Sequence, residues 1–291
     1  MAKLFGFVQF DIAGTLPLAD GRYLAGSGEQ TGEEEWVLVV KSLGAAPLPG
    51  RRRRRRQAAE PDPAPLPLTR VTAVRASSPL AGKAEAARWL DEAAEGEDTV
   101  EVLADEAIAP LNRALHAQAV AAADPRGREL APAEAERVLI GYGSGEETAD
   151  GRFTDAREFD LTSPSTSRRR RREEELRPQE RVAGVLRGRE RLDACETLLL
   201  RARADLDAGR TREAALQLRA GLEALLVELE GMVEDPGHER DMATLRERQP
   251  EAIRAAEAAL RTGLDGQQRA QVESMLEVAE RILRRRRVFR G

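Results

Sequence analysis

Cysteine and histidine are scarce in this sequence, and their scarcity excludes several kinds of site. The single cysteine, Cys195, excludes an internal disulfide framework. The two histidines, His116 and His238, stand 122 residues apart, and neither has a second histidine or a cysteine at the spacing of zinc ligands. We therefore expect no metal site and no resident cofactor.

Long apolar runs are also missing. No stretch of about 18 apolar residues occurs, and no charged segment followed by an apolar one stands at the N-terminus. These absences predict a cytoplasmic protein without a membrane span. At 291 residues the chain is long enough for two domains, each with its own core.

Lysine is rare as well, and only three of the 46 basic residues are lysine. Arginine, alanine, glycine and proline share GC-rich codons, so genome composition alone can produce this bias. Residues 1–160 have a net charge of −8 even though they include the run Arg51–Arg56, and residues 176–291 are close to neutral. An acidic body with one strongly basic segment is the main electrostatic feature.

Residues 1–160 combine strand and helix patterns. Short β-branched or aromatic runs predict strands at Leu4–Phe10 and Trp36–Leu43, and strict alternation predicts a half-buried strand at Thr69–Ala76. Apolar spacings of three and four from Thr99 to Asp124 predict a helix. We predict an α+β domain with a mixed, mainly antiparallel sheet and one or two helices.

Two similar pentapeptides, ADGRY at 19–23 and ADGRF at 149–153, predict tight turns. Asp-Gly supplies the residues that a two-residue hairpin turn requires, and the aromatic residue begins the returning strand. The repeat therefore predicts two similar hairpins.

Residues 176–291 are predicted to form an all-α helical bundle. Apolar residues recur there at spacings of three and four, as at Leu218, Leu222 and Leu225. The stretch LDAGRTREAALQL resembles one tetratricopeptide hairpin, with Gly209 as the turn glycine and Ala214 as the packing alanine. No second copy follows in register, which favours a generic helical hairpin.

Two segments separate these elements. Residues 44–68 contain six prolines and no periodicity, which predicts a disordered loop rich in proline and arginine. Residues 161–175 predict a basic and acidic linker between the domains. The domain boundaries are thus 1–160 for the α+β domain and 176–291 for the bundle.

The stretch FDIAGTL at residues 10–16 resembles the opening motif of the haloacid-dehalogenase superfamily, hydrophobic-D-x-D-G-T-L. The resemblance implies that Asp11 is a phosphoryl-transfer nucleophile and that Thr15 belongs to the tail of the motif. The second acid of the motif is replaced by Ala13, whose methyl group cannot transfer a proton. A strand that ends in a turn is therefore the favoured interpretation.

The glycine-rich stretch IGYGSGEE offers Gly141, Gly143 and Gly145 after a predicted strand. A phosphate cradle needs a helix directly afterwards to supply N–H groups and a dipole. The next pattern is instead a hairpin turn, and the glutamates at 146 and 147 would repel phosphate. A flexible connection is the favoured interpretation, and nucleotide binding is the alternative.

The remaining binding candidates are the arginines of the predicted loop: Arg51, Arg52, Arg53, Arg54, Arg55 and Arg56. They could contact phosphates of nucleic acid, polyphosphate or anionic lipid. No aromatic residue stands near them, so base stacking has no support. Neutralisation by the acidic body and codon-driven low complexity are the alternatives.

Catalytic residue types are scarce, whereas charged segments are plentiful. We therefore expect a non-catalytic cytoplasmic interaction or regulatory protein, with no assigned catalytic residue. A protein partner or a second copy would bind the helical domain, and nucleic acid or another polyanion would bind the arginine loop. The alternative is a phosphoryl-transfer or nucleotide-binding enzyme that uses Asp11 or the stretch Gly141–Gly145.

Overall fold

The computed structural model describes residues 3–26, 35–44, 67–161, 181–229 and 236–290. The chain divides into two compact units, residues 1–165 and 166–291. The predicted α+β fold is confirmed, because an antiparallel sheet with helices is followed by a helical region. The predicted linker and most of the predicted loop lie outside the described residues.

The first unit is built on a six-stranded sheet with the strand order β2-β3-β4-β1-β5-β6. Every described pairing is antiparallel, so the expected parallel component of the sheet is not observed. The first strand lies in the interior of the sheet, and two five-residue strands form its edges. The strands are β1 (Leu4–Ala13), β2 (Gly21–Ala25), β3 (Trp36–Leu43), β4 (Leu68–Arg75), β5 (Arg137–Ser144) and β6 (Asp155–Phe159).

In the described part of the first unit, three helices and one 3₁₀ turn accompany the sheet. Alternation along β1 places Val8 and Phe10 on one face, where they share a core with Leu90 and Leu111 of the two longer helices. Phe7 lies on the other face, with its ring centroid 5.4 Å from that of Phe153. The elements are α1 (Lys83–Ala94), α2 (Glu97–Ala121), the 3₁₀ turn Pro132–Glu134 and α3 (Gly145–Ala149).

The hairpin predicted at residues 19–23 is wrong. β2 pairs with β3 and not with β1, and Gly21 has no positive φ. Asp20 instead accepts hydrogen bonds from the backbone N–H and the hydroxyl of Ser42, at 2.9 and 2.8 Å. The second pentapeptide does contain a turn with a positive φ at Gly151, and it connects α3 with β6.

The second unit contains a closed bundle of four helices. Each helix contacts the next one along the chain, and the first also contacts the last. A tetratricopeptide array stacks its helices in an open row, so this closure supports the generic hairpin. The glycine of the first turn, Gly209, has φ +75°. The helices are α4 (Ala194–Asp207), α5 (Thr211–Glu228), α6 (Pro236–Arg261) and α7 (Gly266–Arg290).

The core of this bundle consists mainly of leucine and alanine side chains. Leu199, Leu218, Leu245 and Leu276 are at most 1% exposed and come from four different helices. Residues 181–186 are also helical. Among the described residues, no helix has the length and apolar character that crossing a bilayer requires.

Candidate functional site

Asp11 lies inside a strand and not at its end. β1 continues to Ala13, three residues beyond the predicted end of the strand at Phe10, and Gly14, with φ +91°, begins the turn. Thr15 is exposed in the connection that follows. The carboxylate of Asp11 is on the sheet face that carries Phe7 and α3, and the residue is 6% exposed.

A cross-strand arginine donates two hydrogen bonds to this carboxylate. Arg70 stands directly opposite Asp11 on β4, and its Nε–H and Nη2–H groups donate to Oδ1 and Oδ2 at 2.7 and 2.9 Å. The hydrogen bond with Asp11 also raises the pKa of Arg70. Such a bidentate pair fixes both oxygens, which gives Asp11 a structural role in the sheet.

Three cations lie in one row with Asp11 across this face of the sheet. The strand register aligns Lys41 of β3, Arg70 of β4, Asp11 of β1 and Arg137 of β5. Arg137 donates from Nε to Glu158 at 2.8 Å, and Lys41 is exposed. We call these four residues the cationic row. The alternating pattern at Thr69–Ala76 predicted that Arg70 lies on one face of a strand. It could not identify Asp11 as the partner, because that depends on the register in which the two strands pair.

Gly141, Gly143 and Gly145 do not form the flexible connection that the sequence favoured, and this corrects that interpretation. Gly141 and Gly143 lie within β5, and Gly145 begins α3. A Cβ at Gly141 would lie 2.4 Å from the carbonyl oxygen of Asp155, and one at Gly143 would lie 2.5 Å from Oγ1 of Thr148. These glycines are therefore explained by the close approach of β6 and α3.

The helix that follows these glycines carries acids and was not predicted. α3 has five residues, with Glu146 and Glu147 in its first turn. Arg22 of β2 donates to Glu146 at 3.2 Å and to Asp150 at 3.3 Å, which links the edge of the sheet to this helix. The negative charge at the start of α3 opposes phosphate binding there.

The lone cysteine lies at the first turn of α4 and is buried. Burial, together with a hydrogen bond to Glu228, raises the pKa of the Cys195 thiol to about 12. Glu228 also accepts the backbone N–H groups of Ala194 and Cys195 at 3.1 and 3.0 Å. A thiol with this pKa stays protonated at neutral pH, which agrees with a packing role.

Buried charges surround this helix start. Arg286 of α7 is 3% exposed and forms an ion pair with Asp193, the residue before α4. Glu196 is also buried and forms an ion pair with Arg181. Arg181, Asp193 and Glu228 are half-buried, and we call them together with Glu196 and Arg286 the charge network. Its partners join the beginning of α4 to the ends of α5 and α7.

The lowered pKa values of two glutamates predict that the helical unit loses stability at low pH. Burial opposes ionisation of Glu196 and Glu228, but hydrogen bonds to Arg181 and to backbone N–H groups outweigh it, so both pKa values are lowered. Groups with lowered pKa stabilise the folded state above the ordinary glutamate value of 4.5, and this contribution is lost as pH falls through the folded pKa. We expect the free energy of unfolding of this unit to decrease below about pH 4.5, as measured by urea denaturation at several pH values. A Glu228→Gln protein should lose less between pH 6 and pH 3; an unchanged acid dependence would contradict this assignment.

The two histidines do not lie together in one site. His116 is exposed on α2, whereas its neighbour Asn112 exchanges two 2.9 Å hydrogen bonds with the backbone of Leu130. His238 is buried at the start of α6. Across the described ranges, no cluster of three potential metal-ligating side chains is present.

Arg51–Arg56 lie outside the described residues, between Gly44 and Pro67. The chain matches no family model, no curated protein and no solved structure.

Proposed function

We propose that the protein is a non-catalytic interaction factor that contacts a polyanion, such as nucleic acid, through Arg51–Arg56 and the cationic row. A protein partner or a second copy of the chain binds the helical unit. The cytoplasm is the proposed compartment.

The position of the cationic row carries this proposal. Lys41 comes three residues before Gly44, and Arg70 comes three residues after Pro67. The six-arginine run is therefore flanked at both ends of its segment by cations on the same sheet face. Arg70 and Arg137 are already paired with Asp11 and Glu158, so Lys41 supplies the exposed charge of the row. An exposed cation that precedes the arginine run in the sequence adds to its attraction for an external anion.

The state of the candidate nucleophiles also supports a binding role. Both oxygens of Asp11 accept hydrogen bonds from Arg70, and Cys195 has a strongly raised pKa. Neither group has the activation that nucleophilic catalysis requires.

Exposed apolar side chains on the helical unit support a protein partner. Leu186, Leu192 and Val227 are 82%, 60% and 77% exposed. Leu192 precedes α4, and Val227 precedes Glu228, which caps the same helix. Leu192 and Val227 therefore lie beside the same helix start, and neighbouring exposed apolar side chains are typical of contact surfaces.

The polyanion proposal predicts a strong dependence on the arginine run. With Arg51–Arg56 replaced by glutamine, affinity for single-stranded RNA, duplex DNA and polyphosphate should fall steeply, because the phosphate contacts are lost. For six contacts we expect a log–log salt slope of about −5 in the unaltered protein, measured by fluorescence anisotropy between about 50 and 200 mM salt.

The chain provides a matched control in its second arginine run. Glutamine at Arg168–Arg172 should leave the affinity nearly unchanged, whereas Lys41→Gln should reduce the salt slope by about one. Equal losses from the two runs would indicate nonspecific attraction. Unchanged affinity after replacement of Arg51–Arg56 would refute the proposal.

A further inference from the structure

A cleft of about 460 Å³ lies in the first unit, where α1 and α2 meet the end of β4. This volume is within the range of ligand-binding clefts. Its walls combine apolar surface with carboxylates and one arginine.

The apolar part of the cleft is formed by Trp89, Ala93, Val102 and Leu103. The six-membered ring of Trp89 rests against Gly6 of β1, where a Cβ would lie 2.8 Å from the ring. Gly6 therefore allows the sheet to support the indole from behind. Val102 is 56% exposed, so the cleft presents apolar surface to a ligand.

The charged part of the cleft is mainly negative. Glu92 comes from α1, and Asp98 and Glu106 come from α2. Arg75 lies 3.7 Å from Glu106 and balances that carboxylate. Glu92 and Asp98 form no ion pair or hydrogen bond within the described part of the chain, and both are exposed.

The cleft wall already contains the type of contact that these groups can make. The guanidinium of Arg75 lies 5.9 Å from the ring centroid of Trp36 while it faces Glu106. A cation thus contacts an aromatic ring and a carboxylate together. Trp89, Glu92 and Asp98 offer a second ring with carboxylates, and no described cation is paired with these two acids.

We propose that this cleft binds an arginine side chain from a basic peptide segment of another protein. A guanidinium placed over Trp89 gains a cation–π contact and reaches the two carboxylates. The remaining volume accommodates neighbouring residues of the peptide. This site is separate from the proposed polyanion site, since it recognises the opposite charge and lies on the α1 and α2 side of the sheet.

A tetra-arginine peptide with blocked ends tests the proposal. Both tryptophans of the chain, Trp36 and Trp89, are at or beside the cleft, so binding should change intrinsic fluorescence saturably. We expect the double variant Glu92→Gln/Asp98→Asn to weaken binding about tenfold, and a tetra-lysine peptide to bind the unaltered protein more weakly than tetra-arginine. Calorimetry gives the affinities.

The matched control also removes two negative charges, but from positions of α2 outside the cleft. Glu101→Gln/Asp105→Asn changes two exposed acids that do not line the cleft, and it should alter the affinity less than twofold. Equal weakening by the two double variants, or no saturable binding, would overturn the proposal. The polyanion titrations should be unaffected by either double variant, so the two proposals can fail independently.

Discussion

Replacement of Arg286 by methionine is expected to destabilise the helical unit by about 3 kcal/mol. The guanidinium is buried and forms an ion pair with Asp193, and its charge also lowers the pKa values of Glu196 and Glu228. Methionine retains much of the apolar volume, but it leaves these carboxylates with one compensating cation fewer. Urea denaturation followed by far-UV circular dichroism measures the change.

Arg284 provides the control on the same helix. It is exposed, so Arg284→Met should change the free energy of unfolding by less than about 0.5 kcal/mol. A double variant, Arg286→Met/Asp193→Asn, should recover part of the loss, because one unpaired carboxylate is removed with its partner. Similar effects of the two single methionine variants would contradict the network.

Replacement of Gly141 by alanine is expected to destabilise the sheet unit by about 3 kcal/mol. The new Cβ would lie 2.4 Å from the carbonyl oxygen of Asp155 and 2.6 Å from Cβ of Ala156. Backbone atoms cannot rotate away as a side chain can, so β5 and β6 must separate. Both tryptophans lie in this unit, so tryptophan fluorescence reports its unfolding selectively.

Gly21 is the matched strand position. A Cβ there meets nothing within 4 Å, and the residue has no positive φ, so Gly21→Ala should cost less than about 1 kcal/mol. If Gly141→Ala were equally mild, the close approach of β6 would not explain the glycine.

Periodicity predicted the longer elements, since an apolar stripe must face a core over several turns or residues. The helix expected over Thr99–Asp124 is α2, and the strand expected at Thr69–Ala76 is β4. The five-residue α3 contains no complete apolar period, so the sequence could not indicate it. The hairpin at 19–23 was wrong because turn chemistry is local and does not specify which strand the chain joins.

The site residues were harder to predict than the fold. Within the run Arg284–Arg287, the three arginines whose side chains the structure describes have different surroundings. Arg284 is exposed, Arg285 forms an ion pair with Asp241, and Arg286 is buried. A run of identical residues contains no pattern that distinguishes them, whereas each step along a helix rotates the side chain by about 100°.

The interior position of β1 has a consequence for how the two units acquire their structures. Phe7 pairs with Val74 on one side and with Gly141 on the other, so both sides of β1 depend on strands that are distant in the chain. The helices of the second unit mainly contact their neighbours in the chain. Since distant pairing slows folding, we expect the later-synthesised bundle to form faster than the sheet that precedes it.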